Sequence, residues 1–302
     1  MNNIKINIAG DLYLGQGLEP IAIQNPASLF DKDVVKAFSD SDFNVLNLES
    51  PLTMAGKEHK ILKTGPHLKA LPETIGALNI LKTSLVTLAN NHIYDYGYKG
   101  LNDTLELCKK NNIATIGADV TLKGASKIFL KKFDQLTIAF VNIAENEWCN
   151  ANETHGGANP MNIIANTRSI NEAKKLADIV ILIIHGGHEL YHFPSPRMVD
   201  QYRFYAEQGA SVIVSHHSHY ISGYEIFNGV PIFYGLGNFL FDSMDNANGW
   251  NEWPDGTGHS NRVRGGEPCR APYRSQSGAC GSDTRRGCFG IRFTQRRQSD
   301  CR

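Results

Sequence analysis

Residues 178–191 read Asp-Ile-Val-Ile-Leu-Ile-Ile-His-Gly-Gly-His-Glu-Leu-Tyr, so six consecutive aliphatic side chains, Ile179–Ile184, run straight into a histidine and two glycines. An apolar run without alternation is expected for a strand buried on both faces, as in a parallel sheet covered by helices. The same grammar repeats on either side. Strand candidates are Ile4–Ile8, Phe43–Leu48, Ser84–Ala89, Ile113–Gly117, Thr137–Ile143, Asp178–Ile184, Ser211–Ser215 and Pro231–Tyr234. Amphipathic helical patterns fall between them at Asp31–Ser39, Pro72–Leu81, Tyr98–Lys110, Ile170–Leu176 and Met198–Gln208. Asn111-Asn112 and Gly209 supply helix stops. The alternation predicts an α/β protein with a largely parallel sheet. Ile4, Ile6 and Ile8 alternate with Lys5 and Asn7, which predicts one wetter face for the first strand. Asn142–Asn162, rich in Asn and Gly, reads as a long loop over one sheet edge.

A polar cluster stands where each of the main strands ends: Gly10-Asp11, Asn47-Leu48-Glu49, Asn90-Asn91-His92, His185-Gly186-Gly187 and His217-Ser218-His219. Parallel strands bring their C-terminal ends to one edge, where ligands bind. Two carboxylates, an amide and three imidazoles make a divalent-metal ligand set, here Asp11, Glu49, Asn91, His185, His217 and His219. Imidazole with carboxylate suits Mn, Fe or Zn better than Ca. His217 and His219 are expected to face one centre because alternate side chains of an extended segment point the same way; His216 would then point elsewhere. His92 beside Asn91 is a candidate proton donor, with Asp95 three residues on to orient it. His188, Glu189, Tyr191 and His192 read as facing substrate or as supporting the ligands from behind. Gly235–Phe239 reads as a tight turn lining the site, and Lys63, His67 and Lys69 read as solvated surface.

The net charge of zero hides an asymmetry: residues 1–242 carry 20 basic and 24 acidic side chains, residues 243–302 carry 10 Arg, no Lys and 6 acids. Isoleucine falls from 25 before residue 243 to Ile291 alone after it. That Arg-, Gly- and Cys-rich tail has no apolar periodicity, so it is expected to be disordered or to be foreign sequence after a reading-frame change. Few aromatics interleave its basic residues, and no nucleic-acid partner is expected. Cys108 and Cys149, far apart in the body, imply no disulfide framework. With no signal-peptide pattern and no apolar run near the roughly 20 residues of a membrane span, the expectation is a cytoplasmic protein with no transmembrane segment.

Six motifs then carry a resemblance. GDLYLG (10–15), NLESPLT (47–53), LANNHIYDYG (88–97), HGGHELY (185–191), HHSHY (216–220) and IFYGLGNFLFD (232–242) resemble, in order and spacing, the CapA family of bacterial capsule-synthesis proteins. The likeness covers about residues 3–242. It implies a calcineurin-like metallophosphoesterase fold, a layered α/β sandwich with mixed, largely parallel sheets, and a role in poly-γ-glutamate capsule synthesis; a foreign tail would mean that the domain is truncated at its C-terminal end. By position, Asp11 matches the first metal-binding Asp, Glu49 the bridging carboxylate, Asn91 the amide ligand, His92 the catalytic acid, His185 the mid-chain ligand, and His217 and His219 the final pair. Where such enzymes carry a His two residues after the first Asp, this chain has Tyr13, so the centre is expected to hold one or two metals. The implied partners are the capsule-synthesis machinery, which could recruit the protein to the membrane, and an anionic polymer or phosphorylated substrate. The alternative to a hydrolase is a metal-stabilised, non-catalytic accessory subunit of a polymer synthase or export complex.

Overall fold

The computed structural model describes residues 3–242, 269–270 and 288–294. Along the chain run β1 (Asn3–Tyr13), α1 (Glu19–Gln24), α2 (Lys32–Ser39), β2 (Phe43–Leu48), α3 (Ile75–Ile80), β3 (Leu85–Thr87), α4 (Gly97–Lys110), β4 (Ala114–Ile116), β5 (Ala118–Asp119), α5 (Leu122–Ala125), β6 (Phe129–Phe133) and β7 (Leu136–Ala144). They continue with β8 (Gly157–Ala158), α6 (Ile163–Leu176), β9 (Ile179–His185), α7 (Pro196–Gln208), β10 (Val212–His216), β11 (Tyr224–Phe227), β12 (Val230–Phe233), β13 (Asn238–Phe241), β14 (Cys269–Arg270) and β15 (Cys288–Thr294).

Two mixed, largely parallel sheets result. One is ordered β14-β15-β1-β2-β3-β4, with β13 also on β1; the other is ordered β11-β12-β10-β9-β7-β6. In the first, β1, β2, β3 and β4 run parallel; in the second, β7, β9, β10 and β12 do. The alternation of strand side chains explains the layers. In β9, Ile181 and Ile183 join Ile6, Ile8, Val45, Leu85, Phe140 and Val214 in a core between the sheets. Leu182 and Ile184 face the other way, onto Ile170 of α6 and Tyr202 and Tyr205 of α7. On the outer face of the first sheet, Leu46, Leu48 and Val86 pack with Phe38 of α2, Leu78 of α3 and Leu101 of α4. Both faces of each sheet are therefore covered, which is why β9 needs no polar alternation.

Several details depart from expectation. The Asn7 face of β1 is not wet: Asn7 is buried, and its amide donates to Ala37 O at 3.1 Å and Asn44 Oδ1 at 3.0 Å. β1 does not end before Asp11 but runs on to Tyr13, with a register shift between Ala9 and Asp11. Gly10 lies at that irregularity, and a Cβ there would stand 2.0 Å from Gly237 O. Close backbone approach, not a tight exit, is the reason for glycine. Gly235–Phe239 is only partly a turn, since Asn238 opens β13 and pairs alongside Asp11. Asn142–Ala144 belong to β7, and the segment that follows carries β8 before reaching Asn162. Gly209 does stop α7, at φ +120°. In the tail, β15 pairs antiparallel with residues 3–9 of β1; the rest of the expectation for residues 243–302 lies outside the described residues. Among the described residues, no helix is long and apolar enough to cross a membrane.

Candidate metal centre

Strand parity aims the site residues into the gap between the sheets. Ile181, Ile183 and His185 share one face of β9, and Val45, Asn47 and Glu49 one face at the end of β2. In β1 the irregularity at Gly10 resets parity, so Asp11 faces the same gap as Ile6 and Ile8 while Leu12 stays with the outer core. Asn91 and His92 follow β3, and His217 and His219 follow β10. All eight predicted site residues (Asp11, Glu49, Asn91, His92, Asp95, His185, His217 and His219) are buried.

The structure brings the six predicted ligands together. Asp11, Glu49 and His219 offer ligand atoms within 4.8 Å of one another, as do Glu49, His185 and His217, with Glu49 common to both groups. Glu49 Oε1 lies 3.5 Å from His185 Nε2 and 3.8 Å from His219 Nε2, and Asp11 Oδ2 lies 3.7 Å from His219 Nδ1. Asn91 Oδ1 is 3.0 Å from His185 Nε2. Asp11 is held by Asn47, whose Nδ2 donates to Oδ1 at 2.7 Å, and by the His217 amide, which donates to Oδ2 at 3.1 Å. His219 Nδ1 meets Asn238 Oδ1 at 2.8 Å.

The decisive feature is Glu49. It is fully buried and neither carboxylate oxygen has a hydrogen-bond partner. An unpaired buried carboxylate is costly, and burial first, then the Asp11 charge, push its carboxyl well above the ordinary 4.5. Burial and the neighbouring His217 hold His185 well below its ordinary 6.5, leaving a neutral imidazole. Burial also opposes ionisation of Asp11, but the hydrogen bond and charge of His216, with His219 nearby, outweigh it and keep Asp11 a carboxylate. The donor set therefore fits a divalent cation. Separations of 3.5–3.8 Å between Glu49 and its imidazoles are what two bonds of about 2.1 Å, opened by about 110–130°, would span.

Beside the ligands lies a second constellation. His92 Nδ1 meets Asp95 Oδ2 at 2.7 Å, and the Leu68 amide donates to the same oxygen at 2.7 Å. Burial lowers His92 below its ordinary value, against the pull of Asp95. Lys63 corrects its expected place on the surface: its side chain is 3% exposed, pairs with Asp95 and lies 3.2 Å from His92 Nδ1. His67 and Lys69 are half-buried and bond to Ile61 O and Ala55 O.

His216 also departs from expectation. It is buried, and its Nδ1 lies 3.3 Å from Asp11 Oδ1. The segment beyond it is not extended: His217 and His219 adopt positive φ, +84° and +56°. Their imidazoles converge through left-handed backbone rather than strand alternation. Glu147, unmarked in the sequence, reaches His217 Nε2 at 3.2 Å from the segment after β7. His188, Glu189, Tyr191 and His192 are exposed, and Glu189 Oε1 stands 3.9 Å from His217 Nδ1.

Residues 5–243 match the family described as bacterial capsule synthesis protein PGA_cap. The chain belongs to this family. The PGA biosynthesis protein CapA of Bacillus subtilis (strain 168) is 33% identical over 258 residues, covering 83% of this chain and 66% of that protein. The capsule biosynthesis protein CapA of Bacillus anthracis is 28% identical over 259 residues, covering 83% and 62%. A Mycobacterium tuberculosis (strain H37Rv) protein named "Probable polyglutamine synthesis accessory protein" is 26% identical over 217 residues, covering 67% and 56%. The chain thus spans 56–66% of the length of these curated relatives. Among solved structures, a hypothetical protein from Thermus thermophilus superposes with a TM-score of 0.48 at 14% identity, covering 78% of this chain and 76% of that one. The 5'-nucleotidase from Candida albicans SC5314 gives 0.38 at 10% identity, covering 76% and 45%.

Proposed function

We propose that this capsule-family chain is a metal-dependent hydrolase that acts with the capsule-synthesis machinery on a phosphorylated intermediate or on an amide bond of the anionic polymer. The observation that carries the reading is Glu49, buried with both oxygens unpaired between two groups of candidate ligands. Asp11, Glu49 and His219 would hold one cation, and Glu49, Asn91, His185 and His217 a second, with Mn, Fe or Zn favoured by the donor set. Bound there, a divalent cation supplies Lewis acidity to a phosphoryl or acyl oxygen. The chain's own residues supply the rest. Asp95 accepts from His92 Nδ1, which leaves Nε2 to take up a proton, as the imidazolium, and pass it to the leaving atom. Asn47 and the His217 amide fix the Asp11 carboxylate, so the ligand atoms are ordered before substrate arrives.

The test is metal analysis of the purified protein, then a phosphatase assay with each metal found. His92→Ala is expected to lower turnover by about 10²–10⁴ with metal still bound, whereas His217→Ala lowers both. Activity that survives His92→Ala refutes the proton-donor role. A second reading, an accessory subunit that binds metal without turnover, is favoured by Tyr13. That phenol packs with Leu68 and Phe241, and burial raises its pKa, so it stays protonated and is a poor ligand. Metal binding with no turnover on any phosphoester or γ-glutamyl amide would decide for it.

A further inference from the structure

Glu147 sits on no strand and in no sequence motif, yet it touches two of the predicted ligands. Its Oε1 is 3.2 Å from His217 Nε2, and the Asn91 side chain beside it helps to hold the carboxyl below its ordinary value. A carboxylate can only accept. His217 must therefore donate from Nε2, which leaves Nδ1 as the ring atom with the lone pair. That Nδ1 is buried without a hydrogen-bond partner. An Asn91 that presents its amide nitrogen to that carboxylate turns Oδ1 the other way, where it lies 3.0 Å from His185 Nε2. His217 shares a group of candidate ligands with Glu49 and His185, and Asn91 Oδ1 meets that same His185.

We propose that Glu147 is a positioning residue that fixes the tautomer of His217 and the amide orientation of Asn91, so that one carboxylate aims two ligands at the same cation. The inference rests on the metal-centre reading for its purpose, but the orientation it assigns exists without metal. Outer carboxylates that hold a ligating imidazole are worth about 10–100-fold in metal affinity. Glu147 is exposed and belongs to none of the hydrophobic clusters, so its loss leaves the cores between and outside the sheets intact.

Two measurements on the full chain test it. The first is isothermal titration of Mn²⁺ and Zn²⁺ into wild type, Glu147→Ala and Glu147→Gln. Glu147→Ala should bind about 10–100-fold more weakly. Glu147→Gln should lie between, because its single carbonyl oxygen can serve one donor but not both. The second is a long-range ¹H–¹⁵N spectrum of histidine rings in metal-free protein at pH 8.5, with His217 assigned by its loss in His217→Gln. Wild type should show His217 protonated at Nε2 alone, and Glu147→Ala should show a mixture of tautomers. Equal affinities in wild type and Glu147→Ala, or a wild-type His217 protonated at Nδ1, overturn the proposal. If wild type binds neither metal, the metal-centre reading fails by itself, and the ring spectra still decide what Glu147 does to His217.

Discussion

Glu49 makes the metal-free protein pay a stability penalty that a substitution should relieve. Glu49→Met keeps the side-chain length and removes both unpaired oxygens from a fully buried position. A buried polar group without a partner costs about 1–3 kcal/mol, so in EDTA the variant should be more stable by about that amount. For a domain of this size each kcal/mol moves the melting temperature about 2–4 °C, a rise of several degrees. With metal the order inverts: a cation at about 1,000 times its Kd stabilises wild type by about 4.1 kcal/mol, more than the penalty, and the variant far less. The pH dependence has a defined sign. Burial and Asp11 raise the folded-state pKa of Glu49 above its ordinary 4.5, so the stability linked to its protonated form is complete below 4.5 and is lost as pH rises through the raised value. Metal-free wild type and variant should therefore differ least in acid and most at pH 8. Urea unfolding at pH 4, 6 and 8, with EDTA and with Mn²⁺, reads all of this. A Met variant less stable than wild type in EDTA at pH 8 refutes the claim that Glu49 is strained without a cation.

Two further substitutions probe neighbouring groups. Lys63→Met removes the buried cation paired with Asp95; breaking a buried pair costs about 3–5 kcal/mol, and because His92 and the Leu68 amide still serve Asp95, a loss near about 3 kcal/mol is expected in urea unfolding. A loss below about 0.5 kcal/mol, the usual range for surface changes, would return Lys63 to the solvated role read from the sequence. Tyr13→His places an imidazole on β1 two residues beyond Asp11, and mass-spectrometric metal analysis should show more metal bound per chain. An unchanged metal content and affinity would show that this position does not reach the Asp11–Glu49–His219 group.

Much of the fold was legible because its central strands are buried twice. Ile179–Ile184 has to satisfy the core between the sheets on one face and α6 and α7 on the other, and nothing but a continuous apolar run does both. Edge strands carry no such demand. β6, Phe-Leu-Lys-Lys-Phe, and β11, Tyr-Glu-Ile-Phe, alternate between half-buried and exposed positions and pair on one side only, so their patterns are diluted by charge. The first half of α6 was missed for a related reason: Ile163 and Ile164 are exposed, and the buried positions with apolar side chains begin only at Ile170. Its start signal was nonetheless present, since the Asn162 side chain accepts from the Ile164 and Ala165 amides as an N-cap.

The site was legible where strand parity alone decides it and illegible where backbone irregularity does. His216 could have been placed by extending β10: Val212 and Val214 face the core between the sheets, so the next residue of that parity must enter the gap above it. Counting alternation forward from His217 instead gave the opposite answer, because the chain leaves the strand at that residue and turns left-handed. Asp11 is the converse case. By simple alternation with Ile6 and Ile8 it should face the outer helices, and only the register shift at Gly10, where the Gly237 carbonyl leaves no room for a Cβ, turns it inward. One backbone irregularity in β1 thus decides whether a carboxylate meets the imidazoles of the opposite sheet. The glycine that permits it is as necessary to the centre as the ligands themselves.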